Sequence, residues 1–156
     1  MFRTRTNSII ITTLVAGSLD ILLAFLNAWL SNAVTPTRVL QYIASGYFGS
    51  EAFAGGPRMA GWGLLFHYLV AFSFTTAFFF LFAKNIFLAR HKVLTAIGYG
   101  LLIWIVMNLL VLPMSRVPAS KMEPVAMIKG MIILIVAMGL PLVFFSAMYR
   151  KKSSKS

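Results

Sequence analysis

Residues 9–30 read IIITTLVAGSLDILLAFLNAWL, and this stretch decides the fold of the chain. As a helix with a rise of about 1.5 Å per residue, it is long enough to cross the hydrocarbon core of a bilayer. Asp20 lies near the middle, where an ionised carboxylate costs roughly 2.5–3.5 kcal/mol on insertion scales. We therefore expect Asp20 to face other helices or water rather than lipid.

One side of this predicted helix is small and polar. Residues at steps of three or four share one side of a helix. Along this run such steps connect Thr13, Gly17, Asp20, Ala24, Asn27 and Ser31. Because small and polar residues let membrane helices approach and hydrogen-bond to each other, we expect later helices to pack over Asp20.

The composition is typical of a membrane protein. The 156 residues are 60% hydrophobic, and the mean hydropathy is +0.87. Fourteen Lys and Arg residues oppose three acidic residues, for a net charge of +11. The basic residues lie at the ends of apolar runs rather than in one patch, which favours a lipid bilayer as partner over nucleic acid.

Three further apolar runs predict three more membrane-spanning helices. With the first run, their approximate ranges are 9–30, 60–83, 93–112 and 126–149. Arg3 and Arg5 resemble the start of a secretory signal, but the first run is too long for one and contains Asp20, so we expect an uncleaved span. The predicted fold class is an all-α integral membrane protein, a four-transmembrane-helix bundle forming a single domain over 1–149. A basic, flexible tail is expected over 150–156.

The connection after the first span is predicted to carry a short amphipathic helix over about 36–45. Thr35 precedes Pro36 as a helix start, and apolar residues follow at helical spacing. We expect this helix to lie at the external surface of the membrane that the chain spans. Further along, Gly139-Leu140-Pro141 predicts a kink in the fourth span.

The basic residues also predict the orientation, because loops rich in Lys and Arg stay in the cytoplasm. Nine lie on one side: Arg3, Arg5, Lys84, Arg90, Lys92, Arg150, Lys151, Lys152 and Lys155. Five lie on the other: Arg38, Arg58, Arg116, Lys121 and Lys129. We therefore expect both termini in the cytoplasm.

Four polar side chains are expected in the outer half of the bundle: Asp20, His67, Asn108 and Asn27. A carboxylate beside an imidazole can bind and release a proton. One hypothesis is therefore a proton-linked site that binds or transports a small solute or ion. Because four spans are few for a complete carrier, this hypothesis includes a homodimer.

The alternative hypothesis is an accessory or assembly subunit of a membrane complex. The polar residues then only lock the helices together, through hydrogen bonds that contribute about 0.6–2 kcal/mol each. The first connection would supply the surface for a partner membrane protein, through Gln41, Tyr42, Glu51 and Phe53.

Catalytic, metal and cofactor sites are not expected. No cysteine is present, which excludes disulfides and thiol chemistry within the chain. The sequence has no serine-centred elbow, His-Glu-x-x-His motif or Gly-rich phosphate loop. His67 with one carboxylate and two amides is a poor ligand set for a metal, and a second axial histidine for haem is missing.

Several segments together resemble a family of uncharacterised four-span bacterial inner-membrane proteins. They are GSLD at 17–20, VLQYIASG at 39–46, GLLFHY at 63–68, MNLLVLP at 107–113 and GLP at 139–141. The resemblance covers nearly the whole chain. It implies the four-span topology and a location in the bacterial inner membrane, and it implies no activity.

Overall fold

Four long helices form the fold of the computed structural model, which describes residues 4–118 and 123–153. They are α1 (Arg5–Asn32), α3 (Gly56–Lys84), α5 (Lys92–Met114) and α6 (Pro124–Arg150). Each is long and apolar enough to cross a membrane, and no strand occurs within these described ranges. The prediction of an all-helical chain with four such helices is confirmed, and it indicates a multi-pass membrane protein.

The helices extend beyond the apolar runs because polar residues cap them. The side chain of Thr4 accepts a hydrogen bond from the Asn7 backbone N–H and so starts α1 before Ile9. At the other end, Ala33 closes the helix in the left-handed conformation, with φ 51°. Hydropathy does not detect such capped turns, so the spans predicted from it are shorter than the observed helices.

The first connection folds onto the start of α3. It contains α2 (Pro36–Phe48) and a 3-10 turn at Gly49–Phe53. Later in the chain, the short helix α4 (Ile86–Arg90) connects α3 to α5. α2 is three residues longer than the predicted 36–45. Its backbone at Leu40 touches α3 at Gly63, where a Cβ atom would overlap the Leu40 carbonyl.

Both α5 and α6 contain a π-helical segment, at Val106–Val111 and Ile135–Gly139. Each segment ends two residues before a proline, Pro113 or Pro141. A proline lacks the N–H that would bond four residues back and its ring crowds that carbonyl, so a local widening of the helix accommodates it. The irregularity expected at 139–141 therefore takes the form of a π-helical segment that ends at Gly139.

The hydrophobic core occupies one half of the bundle. It is built from buried residues of all four long helices: Ile9, Ala16, Ala71, Phe78, Phe79, Ala96, Tyr99, Ile103, Met138, Leu142 and Val143. This half contains the start of α1 and is called the Arg5 end. The opposite half carries α2 and is called the α2 end. Asp20 lies between them, just beyond the part of α1 that enters the core.

Some residues used in the sequence-based predictions lie outside the described part of the chain. These are Arg3, Lys121 and the tail residues 154–156. Two expectations stay predictions. They are the orientation inferred from the basic residues and the position of α2 at the external surface of the membrane.

Candidate functional site

The contact between α1 and α3 brings Asp20 and His67 together. Nε2 of His67 lies 2.8 Å from the carbonyl oxygen of Gly17, one turn before Asp20 on α1. Asp20, three residues after Gly17, lies on the same side of α1 as that carbonyl. Both side chains are half-buried. An acid and an imidazole from two different apolar helices therefore lie at the same helix contact, with no direct hydrogen bond between their side chains among the described residues.

The hydrogen bond to Gly17 determines which nitrogen of His67 can exchange a proton. A carbonyl oxygen only accepts, so Nε2 must donate and carry a hydrogen. In the neutral imidazole, Nδ1 is then the nitrogen without a hydrogen, and it can accept a hydrogen bond. A protonated His67 and an ionised Asp20 attract each other, and the attraction is stronger in an environment of low dielectric constant than in water.

Gly17 allows this close contact, because Tyr68 lies directly against it. A Cβ atom on Gly17 would lie 3.1 Å from Cε1 of the Tyr68 ring. The Tyr68 hydroxyl and Oγ of Ser18 are 2.7 Å apart and share a hydrogen bond. His67 and Tyr68 thus bond to α1 at two adjacent positions, Gly17 and Ser18. The sequence analysis missed Ser18 and Tyr68, although their positions beside Gly17 and His67 could have indicated them.

The two predicted asparagines are not joined to this pair in the same way. Nδ2 of Asn108 donates to the carbonyl oxygen of Trp104, four residues earlier in α5, at 2.9 Å. Asn108 therefore bonds to the backbone of its own helix, just before the π-helical segment. Within the described residues this segment makes no extensive contact with α1 or α3. Asn27 lies half-buried on α1, two turns beyond Asp20.

The four residues predicted for a partner surface divide into two pairs. Gln41 is buried, and its Nε2 donates to a backbone carbonyl at the start of α3 at 3.2 Å. Phe53 accepts a hydrogen bond from Arg38 through its backbone, and the Arg38 guanidinium lies 4.3 Å above its ring. These two residues stabilise the connection itself. Tyr42 and Glu51 are exposed, although partial burial raises the pKa of the Tyr42 phenol.

An apolar groove runs along α1 and α3 next to the pair. Its volume is about 230 Å³, and it is lined by Ile10, Thr13, Leu14, Leu65, Tyr68, Leu69 and Phe72. Oγ1 of Thr13 is buried there without a hydrogen-bond partner. The groove therefore suits an apolar chain, and the polar side chains of Ser18 and His67 do not line it. No cluster of three His, Cys, Asp or Glu side chains occurs in the part of the chain that the structure describes.

No protein-family model, curated protein or solved structure matches the chain. The resemblance to uncharacterised four-span bacterial proteins therefore stays a prediction. The chemistry of the site is the only indication of function.

Proposed function

We propose that the chain is a small proton-linked binding or transport protein of the bacterial inner membrane, with both termini in the cytoplasm. Asp20 and His67 hold the coupling proton. The observation that carries this proposal is the hydrogen bond that holds the His67 imidazole of α3 against α1 one turn before the Asp20 carboxylate. An acidic residue in such a position is expensive to retain for packing alone, which supports a functional role.

The groups around the pair favour a cation or a solute with a positively charged group. When the pair shares one proton it is neutral overall, and loss of that proton leaves a negative charge on it. A cation can then occupy the position that the proton left. Oxygen atoms of Ser18 and Tyr68 lie on the adjacent part of the helix contact and are suitable ligands. Proton and solute would therefore compete for the site, which is the basis of exchange.

The protonation of Asp20 gives the first test. The chain has only two other acidic side chains, Glu51 and Glu123, and both are exposed. In infrared difference spectra of the protein in phosphatidylcholine nanodiscs, we expect a pH-dependent carboxyl band that Asp20→Asn removes. His67→Gln should move the pH at which this band changes, and the control Glu51→Gln should leave it in place. A titrating band that persists in Asp20→Asn overturns the proton site.

Exchange gives the second test. Wild-type protein is reconstituted in vesicles of phosphatidylcholine and phosphatidylglycerol that contain a pH-sensitive dye, and Na⁺, K⁺ or methylammonium is added outside. We expect at least one of these cations to drive proton movement, and Asp20→Asn to abolish it. The control is Ser73→Ala, because the exposed Ser73 bonds only to its own helix, at the Leu69 carbonyl. Proton movement that Asp20→Asn leaves unchanged contradicts the proposal.

The second candidate is an accessory or assembly subunit, supported by aromatic exposure on α2. Tyr47 is 67% exposed and Tyr42 is 39% exposed. Partner binding through this side predicts that Tyr47→Ala with Glu51→Gln abolishes recovery of a stoichiometric partner while Asp20→Asn does not. Recovery that is unaffected by the double substitution counts against this candidate.

A further inference from the structure

We propose that the Arg5 end of the bundle binds the phosphate of an anionic phospholipid, through the guanidinium groups of Arg5 and Arg150. This site is separate from Asp20 and His67. It consists of two half-buried cations on facing helices, each with a buried N–H that has no hydrogen-bond partner.

Arg5 is held in place by α3 but is only partly satisfied. One of its terminal nitrogens donates to the Phe79 carbonyl oxygen at 3.1 Å. Its guanidinium carbon lies 3.9 Å from the centre of the Phe80 ring. Its Nε is buried and has no partner. The side chain is thus fixed in position, with one donor that the described residues leave unsatisfied.

Arg150 reaches the same end of the bundle from α6. It follows the buried residues Val143 and Ser146 at steps of three and four, so it continues the face of α6 that packs inward. α6 packs against α1 there, and the ring of its neighbour Tyr149 lies 6.2 Å from that of Phe79, whose backbone binds Arg5. One terminal nitrogen of Arg150 is buried without a partner.

The chain supplies no acidic side chain to neutralise these two cations. Its three acidic residues are Asp20, Glu51 and Glu123. Asp20 is fifteen residues beyond Arg5 on α1, or roughly 22 Å along the helix. Glu51 and Glu123 lie in connections at the α2 end. A half-buried guanidinium without a counter-charge is stabilised when an external anion binds to it.

The position of the site identifies the anion as a lipid headgroup. Arg5 and Arg150 lie at the ends of apolar helices, at the level where phospholipid phosphates are found. The planar guanidinium suits phosphate oxygens because it donates two hydrogen bonds side by side. Phe80, beneath Arg5, is 49% exposed and offers an apolar surface to the attached acyl chains.

Lipid-dependent thermal stability tests the assignment. The full chain is purified in detergent and its unfolding temperature is followed while phosphatidylglycerol, phosphatidylcholine or inorganic phosphate is added. We expect phosphatidylglycerol to raise the unfolding temperature more than phosphatidylcholine does. Arg5→Gln or Arg150→Gln should raise the half-saturating concentration of phosphatidylglycerol by about tenfold, the effect of losing one charge-assisted hydrogen bond. The double variant should lose the difference between the two lipids.

Arg90→Gln is the matched control, because Arg90 lies at the same end of the bundle but is exposed. We expect it to keep the response to phosphatidylglycerol. A double variant that still responds like the wild type overturns the site, and equal stabilisation by inorganic phosphate overturns the assignment to a lipid.

Native mass spectrometry of the wild type serves as a second measurement that does not depend on any variant folding. We expect one phosphatidylglycerol to stay bound to each chain in preference to phosphatidylcholine. Equal retention of the two lipids overturns the proposal.

Discussion

Gly17 sets the distance between α1 and α3, and with it the contact between the helices at the proposed proton site. The nearest atoms to a Cβ there would be in the Tyr68 ring, at 3.1 and 3.2 Å, and Cβ of Ala71, at 3.4 Å. Gly17→Leu should therefore separate the helices and break the bond from His67 to the Gly17 carbonyl. We expect the free energy of unfolding to fall by about 1–3 kcal/mol, the usual effect of overpacking.

Unfolding in a denaturing detergent measures this change. Gly61→Leu is the control, because a Cβ on Gly61 in α3 would meet nothing within 4 Å. Similar losses of stability in both variants would show that Gly17 has no special role in the helix contact.

Asn108 should behave differently from Asp20, although both are polar residues of apolar helices. Its side chain bonds to the backbone of its own helix at Trp104. Asn108→Ala should lower the free energy of unfolding by about 1 kcal/mol, close to the average for hydrogen bonds in membrane helices. The carboxyl band of Asp20 should still change at the wild-type pH. A displaced band would mean that Asn108 acts on the pair.

At the scale of elements, the crossing of α5 and α6 depends on two glycines. Gly139 lies against the backbone of Ala96, and Gly100 lies against Ile135, the first residue of the π-helical segment of α6. A Cβ on Gly100 would be 2.6 Å from the Ile135 Cα, so backbone rather than a movable side chain would have to shift.

We therefore expect Gly100→Ala to reduce the free energy of unfolding by about 3 kcal/mol or more. Gly98→Ala is a closely matched control, since Gly98 lies two residues away in the same helix and faces open space. It should be neutral or slightly stabilising, because alanine favours helix more than glycine does. Denaturation of both variants side by side checks the difference, and equal stability would contradict the close crossing.

The sequence alone predicted the long helices in more detail than the contacts around Asp20. Four apolar runs follow directly from hydropathy, and the stripe containing Gly17 and Asp20 indicated the face of α1 that another helix covers. The π-helical segments were not predicted, because periodicity does not register a single added residue. Pro113 and Pro141 were the available signals. The local bond of Asn108 could not be predicted either, since spacing gives the face of a residue and not its partner.

On the scale of the whole molecule, polarity is divided between the two ends of the bundle. The Arg5 end holds the hydrophobic core and the two incompletely satisfied arginines. The α2 end holds Glu51, Glu123 and the exposed tyrosines of α2. If the basic residues orient the chain, the Arg5 end faces the cytoplasm. The proposed proton site then lies between a cytoplasmic end with the proposed lipid site and an external surface capped by α2.

The absence of cysteine allows this orientation to be measured directly, because a single introduced thiol has no competitor in the chain. Ser50, in the 3-10 turn after α2, and Lys92, at the start of α5, are both exposed and lie at opposite ends of the bundle. In intact cells, a membrane-impermeant maleimide should label Ser50→Cys and should label Lys92→Cys only after lysis. Labelling of Lys92→Cys but not of Ser50→Cys in intact cells would show that the orientation in the membrane is the opposite of the predicted one. The proposed lipid site would then bind phospholipids of the outer leaflet, and α2 would face the cytoplasm.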